Sequence, residues 1–223
     1  MAEPNTSDIV DSGSGDDIVV RGYSDRYTAA VRDVLGTEGG FVDDPKDRGG
    51  TTNFGISLRF LASEGAFDED GDGKADFDLD MDGDIDGRDI RKLTRGDAVF
   101  LYQRCFWTRF DCESFARPIG EMMFDQAVNG GGGAARKILQ RAVNQCLHDA
   151  GCGVLAIEVD GRIGGGTRAA IDRVLQRPGS GMPALIVAFR NQVRERYRAI
   201  VAKYPSQQRF LRGWLARAER LGR

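Results

Sequence analysis

Apolar positions recur at helical spacing in several separate stretches of the chain. In YSDRYTAAVRDVLGTEGG, Tyr27, Val31, Val34 and Leu35 fall on one face, with Ser24 placed to cap the first turn and Gly39 and Gly40 placed to end the helix. Ser57 can cap a short helix over LRFLASEG, and Thr94 with Asp97 makes a capping-box-like start to DAVFLYQRCFW. The same periodicity predicts helices over about 119–129, 133–147, 166–176, 183–203 and 207–221. Phe189, Val193, Tyr197 and Ile200 keep the spacing in the fourth of these. Phe210, Leu211, Trp214, Leu215, Ala218 and Leu221 share one face in the last. Between the first two helices, FVDDPKDRGGTTNFGIS holds too many Gly, Asp and Pro for a helix and reads as a loop with one short hairpin. The class is mainly α with a small β-hairpin lobe.

Charge changes this picture in two places. Residues 1–22 carry −4 and residues 67–89 carry −9, so in a chain of net charge −3 the remainder carries +10. A basic body suits an anionic polymer, or serves solubility alone. Residues 1–22 are poor in bulky side chains and read as a disordered or loosely attached acidic arm. They lack a basic n-region and an apolar h-region, so the expectation is synthesis in the cytoplasm without a signal peptide and delivery to the wall by other means. No apolar run approaches the roughly 20 residues of a membrane span. Cys105 with Cys112, and Cys146 with Cys152, are spaced to close short disulfide loops in an oxidising compartment, or to remain thiols in the core. His148 is the single histidine and has no motif around it, which argues against Ser-His-Asp or histidine–metal hydrolysis.

The acidic segment has the spacing of a calcium loop. Asp78, Asp80, Asp82 and Asp86 fall at positions 1, 3, 5 and 9, Gly83 at the sharp turn of position 6, Ile85 at position 8 and Asp89 at position 12, with Asp84 between. Asp68, Asp70, Asp72, Gly73 and Asp76 repeat its beginning ten residues earlier, with Leu79 where the last acid would stand. The arrangement resembles the aspartate-rich repeats of dockerins and thrombospondin-type modules. One or two structural calcium ions over residues 68–89 would neutralise the mutual repulsion of these acids. A solvated acidic loop without metal is the other reading.

The run Glu38-Gly-Gly-Phe-Val-Asp43-Asp44-Pro45-Lys-Asp47-Arg-Gly49-Gly50-Thr51-Thr52-Asn53-Phe54-Gly55-Ile56 resembles the muramidases of glycoside hydrolase family 108, whose motif reads approximately EGGYVNDPxDPGGxTNFGIT. Leu101-Tyr102-Gln103-Arg104 with Trp107, and Phe124-Asp125-Gln126-Ala127-Val128-Asn129, are similar to its YxxxYW and FDxAVN segments. The stretches from Lys137 to Asn144 and from Asp160 to Thr167 resemble its C-terminal peptidoglycan-binding portion. The resemblance spans about residues 25–200 and leaves the arm and the acidic insertion outside.

The resemblance implies a lysozyme-like helical domain that hydrolyses the β-1,4 bond between N-acetylmuramic acid and N-acetylglucosamine. Glycoside hydrolysis needs a proton donor at the leaving oxygen and a second group on the other face of the sugar. Glu38, at a helix C-terminus whose partial negative charge disfavours ionisation, has the address of the acid. By analogy with phage lysozymes, Asp47 would stabilise the transition state or activate water, and Thr52 would position that water. Asp44 is a rival second carboxylate, and Asp43, Asp44 and Asp47 can also serve as turn residues. Asn53, Tyr102, Asp125, Gln126 and Asn129 are the candidates for the sugar groove.

The expected domains are a catalytic part over 23–66 and 90–130, the calcium insertion over 67–89, and a helical peptidoglycan-binding-like portion over 131–223. No cofactor is expected for catalysis. The expected partner is peptidoglycan, without nucleic acid, for a chain acting as a monomer. Residues 181–223 hold ten Arg or Lys against two Glu. This basic end suits an anionic outer-membrane surface, or is the solvated face of a packed helix.

Overall fold

A computed structural model describes residues 9–11, 18–20, 22–37, 41, 50–69, 71–178 and 181–223. The chain divides into two compact units, Met1–Arg109 and Phe110–Arg223.

In the first unit, strands β1 (Ile9–Asp11) and β2 (Ile18–Val20) pair antiparallel, with Ile9 opposite Val20. From the sequence alone this stretch reads as a disordered or loosely attached arm. The runs Ile9-Val10 and Ile18-Val19-Val20 are β-branched, and such residues favour extended pairing. Helix α1 (Asp25–Thr37) starts as its cap requires, with Ser24 Oγ accepting the Tyr27 N–H at 3.1 Å. Its apolar face, Tyr27, Val31, Val34 and Leu35, is buried. Tyr27 also donates its hydroxyl to the Val99 carbonyl at 2.5 Å, fastening α1 to helix α4 (Arg95–Tyr102).

The expected hairpin is strands β3 (Thr52–Asn53) and β4 (Ile56–Ser57), with Thr52 opposite Ser57 and Asn53 opposite Ile56. Its two turn residues, Phe54 and Gly55, both have positive φ, 48° and 77°. That is the geometry whose twist matches paired strands. Ser57 then caps α2 (Leu58–Glu64), accepting the Phe60 N–H at 3.2 Å. Helix α3 (Gly87–Lys92), unforeseen from periodicity, grows out of the acidic segment through a capping box between Asp86 and Asp89. Thr94 and Asp97 make the expected box at α4. Beyond Tyr102 the chain widens into one π-helical turn, Gln103–Thr108, which buries Cys105 and Trp107.

The second unit is helical throughout its described elements: α5 (Ile119–Gly130), α6 (Gly132–Asp149), α7 (Gly165–Gln176), α8 (Gly181–Lys203) and α9 (Leu211–Arg220). Residues Pro205–Phe210 form a tighter 3₁₀ segment where the sequence suggested α-helix from 207. Pro205 in its first turn favours this short entry into α9. Phe124, Leu139, Val143, Ile171, Leu185, Phe189 and Val193 fill the core. Burying each such side chain contributes about 1.5–3 kcal/mol. Gly132 is dictated by packing, since a Cβ there would lie 1.9 Å from the Phe110 ring. The motif residues of α6 hold the loop before α7. Asn144 brackets Ile157, accepting its N–H and donating to its carbonyl, both at 2.8 Å. Gln140 accepts the Gly161 N–H and donates to Asp160 and to the Arg162 carbonyl.

Candidate active site and acidic loop

Helix α1 carries the chain to Thr37. The expected catalytic residues Glu38 and Asp47, and the rivals Asp43 and Asp44, lie outside the described residues. Thr52 lies within them. It is half-buried at the start of β3, with its hydroxyl donating to the Gly50 carbonyl at 3.3 Å.

Two groove candidates hold the hairpin in place. Asn53 is buried and donates its amide to the Ile90 and Leu93 carbonyls at 3.0 and 3.3 Å, tying β3 to the end of α3. Tyr102 is 1% exposed and donates its hydroxyl to the Phe54 carbonyl at 3.0 Å, steadying the turn. These side chains make scaffold contacts, because a buried amide or phenol is stabilised by a partner inside the protein.

Asp125, Gln126 and Asn129 come together on α5. The Asp125 carboxylate accepts from Gln126 Nε2 at 2.9 Å and from Arg217 Nε on α9 at 2.9 Å. Gln126 is fully buried and reaches the Tyr197 hydroxyl at 3.4 Å, while Trp214 stacks on the Tyr197 ring at 5.3 Å. Asn129 is exposed and bonds back to the Asp125 carbonyl at 2.8 Å. Gln126 and the Asp125–Arg217 pair thus join α5 to α8 and α9. Arg217 was missed as a partner because nothing local to α9 points to an acid 92 positions earlier.

The acidic segment folds as two consecutive loops. In the second, Asp78 accepts the Asp82 and Gly83 N–H groups at 3.1 and 2.8 Å. Asp89, fully buried, accepts those of Leu79, Asp80 and Asp86 at 2.7, 3.2 and 2.7 Å. The first and last acids of the spacing therefore close the loop on itself. Carboxylate oxygens of Asp78, Asp80 and Asp82 lie within 4.8 Å of one another, as do those of Asp84, Asp86 and Asp89. One Asp80 oxygen is buried without a hydrogen-bond partner. The Asp82 carboxylate pushes Asp84 above the ordinary range. Arg88 answers part of this charge through Asp80, Asp82 and Asp86. In the first loop Asp68 accepts the Gly71 and Gly73 N–H groups at 2.7 and 2.9 Å, Asp72 accepts that of Lys74, and Asp76 accepts that of Glu69. Asp70 lies outside the described residues.

All four cysteines are free thiols, so the short disulfide loops allowed by their spacing are not made. Burial pushes the Cys105 and Cys146 thiols up to about 11. His148 is exposed at the surface beside Asp149, as its isolation in the sequence suggested. Among the described residues no helix is long and apolar enough to cross a membrane.

Residues 31–131 match the family model described as Glycosyl hydrolase 108, and residues 134–219 match the one described as Predicted Peptidoglycan domain. No curated protein matches the chain. Among solved structures, that of SagA from Brucella abortus is similar, with a TM-score of 0.63 and 24% identity over 87% of this chain and 90% of that one. At this identity the likeness bears on the fold, which the two chains share. Two family matches in this order, on a mainly helical scaffold with a small hairpin, make this chain a peptidoglycan hydrolase that carries a glycosyl hydrolase 108 domain followed by a peptidoglycan domain.

Proposed function

We propose that the chain is a muramidase that cleaves the β-1,4 bond between N-acetylmuramic acid and N-acetylglucosamine, with Glu38 as the general acid. The observation that carries this reading is the ordered run from Glu38 to Ile56, which lies inside the glycosyl hydrolase 108 match. Glu38 follows Thr37, the last residue of α1, and the negative end of a helix favours the protonated carboxyl that a general acid needs. Glu38 gives its proton to the bridging oxygen as the bond breaks. Asp47 draws a proton from water on the opposite face, and Thr52 orients that water. This sequence inverts the anomeric centre and calls for carboxyls about 6.5–9.5 Å apart, whereas about 5–5.5 Å would mean retention. The catalytic domain is read as 23–66 with 90–130, and 131–223 as the portion that engages the wall.

The acidic loops are read as a structural calcium site. Asp78, Asp80 and Asp82, with Asp84, Asp86 and Asp89, supply the hard oxygen donors that calcium takes. Asp68, Asp72 and Asp76, with Asp70, form the first loop. The buried, unpartnered Asp80 oxygen fits a cation there. The basic C-terminal end is read as a fastener more than an outer-membrane anchor. Arg190, Arg194, Arg196, Arg217 and Arg223 all spend hydrogen bonds inside the second unit.

The deciding experiment pairs Glu38→Gln with mass spectrometry of digested wall. The reading expects reducing ends on muramic acid from the native chain. It expects a loss of about 100-fold or more in the variant, whose fold is kept. Reducing ends on glucosamine, anhydro ends, or an active variant would overturn it.

A further inference from the structure

A cleft of ≈ 830 Å³ opens in the second unit along α6 and α8. This volume is in the range of small-ligand sites, about 300–1,000 Å³. Its walls combine three kinds of surface. Val187 supplies an exposed apolar wall. Arg177 and Arg194 stand as fixed cations. Arg177 is held by the Ala150 carbonyl and Cys152 Sγ, both at 2.8 Å, and Arg194 by Glu219 at 2.8 Å. Asp149, Glu195 and Arg198 are exposed at the rim. Glu195 and Arg198 lie three residues apart on one face of α8, and among the described residues neither has an ion-pair or hydrogen-bond partner.

This is the wrong chemistry for a sugar. A glycan is uncharged along most of its length and stacks its C–H faces on aromatic rings, yet no aromatic side chain lines the cleft. A site lined by both signs of charge and by an apolar wall suits a short peptide that carries an ammonium group, carboxylates and small methyl side chains.

We infer that this cleft holds the stem peptide of the cell wall, so that the portion over 131–223 reads the peptide while the catalytic domain acts on the glycan. Glu195 and Asp149 take the ammonium group of a diamino acid. Arg198, beside Arg177 and Arg194, takes the carboxylates, and alanine methyl groups rest on Val187. The inference rests on the peptidoglycan-hydrolase reading and adds the part of the polymer that the second unit recognises.

The test is calorimetric titration of the full chain with a sugar-free stem tetrapeptide containing diaminopimelate, and separately with a peptide-free N-acetylglucosamine oligomer. The tetrapeptide should bind. Glu195→Gln and Arg198→Ala should each weaken it about tenfold, the loss expected when one charged hydrogen bond is removed. Val187→Trp, which fills the cleft from an exposed position, should abolish binding without lowering the melting temperature. Oligomer binding should be the same in all three variants. The inference is overturned if the tetrapeptide does not bind, if the variants bind it as the native chain does, or if the oligomer loses affinity in parallel. Because the readout is binding, it is independent of Glu38. A Glu38→Gln chain that still lysed walls would remove the catalytic reading and leave this result standing.

Discussion

The Asp125 carboxylate on α5 receives the Nε proton of Arg217 on α9 at 2.9 Å, and both side chains are largely shielded, at 21% and 13% exposure. One ion pair thus fixes the last helix of the chain to a helix of the glycosyl hydrolase match. Removing one partner of such a pair leaves an uncompensated charge in a poorly solvated place. Arg217→Ala should therefore cost about 2 kcal/mol, below the value for a fully buried pair because some solvent still reaches this one. Thermal unfolding should show a drop of several degrees, with Arg217→Lys in between, since lysine keeps the charge and loses the planar fork. An unchanged melting temperature for Arg217→Ala would show that the contact contributes nothing.

Calcium should stabilise the chain, because binding only the folded loops shifts the equilibrium by mass action. At about 100 times its dissociation constant the gain would be about 2.7 kcal/mol. Replacing Asp80 and Asp82 with Asn should erase the calcium-dependent rise in melting temperature and leave the metal-free value close to native. Asp89→Ala should lower the metal-free value as well, since Asp89 holds three backbone N–H groups of the loop. Equal responses to calcium and magnesium would count against a dedicated site.

The thiols should differ in reactivity. Cys105 and Cys146 are buried and raised to about 11, so little thiolate is present at pH 8 and access is poor. Cys152 is half-exposed. Under native conditions iodoacetamide should label Cys152 first, with Cys105 and Cys146 modified only on unfolding. Peptide mapping by mass spectrometry checks the order, and early labelling of Cys105 would contradict the burial.

Glu64 and Arg109 form a two-pronged pair at 2.9 and 2.7 Å, and the hydrogen bond from Arg109 holds the Glu64 carboxyl below its usual value of 4.5. A carboxyl depressed in the folded state contributes stability that is full above its unfolded pKa. That contribution is lost as pH falls through the folded one. Glu64→Gln should therefore lower stability at neutral pH by less than about 1 kcal/mol, the pair being partly exposed, and the two proteins should converge in acid. Denaturant titrations at pH 7 and pH 3 would reveal this, and a difference that grows in acid would refute it.

Local chemistry was legible along the chain. Ser24, Ser57 and the Thr94–Asp97 pair cap the helices that they were expected to cap, because a cap joins residues two or three positions apart. The hairpin followed from the Gly-rich run, while the spacing of the acidic loop marked Asp78 and Asp89 as its first and last acids, and the structure shows that both accept backbone N–H groups of the loop. Residues 1–22 read as a disordered or loosely attached arm, and the structure adds one local pairing within it. Two short β-branched runs pair across it, and their pairing energy is invisible to a composition argument.

By itself, then, the order of residues determined the helical class, the positions of the caps, the spacing of the acidic segment and the run of motif residues that marks the hydrolase. Only the tertiary structure decided which partners Asn53, Tyr102, Asp125 and Gln126 meet. Their partners lie 37 to 92 residues away, apart from the Gln126–Asp125 contact, and the same polar side chain serves a groove or a scaffold according to what folding brings beside it. A buried amide or carboxylate is stabilised by a partner that offsets its desolvation cost, and where that partner comes from is decided in space and not along the chain.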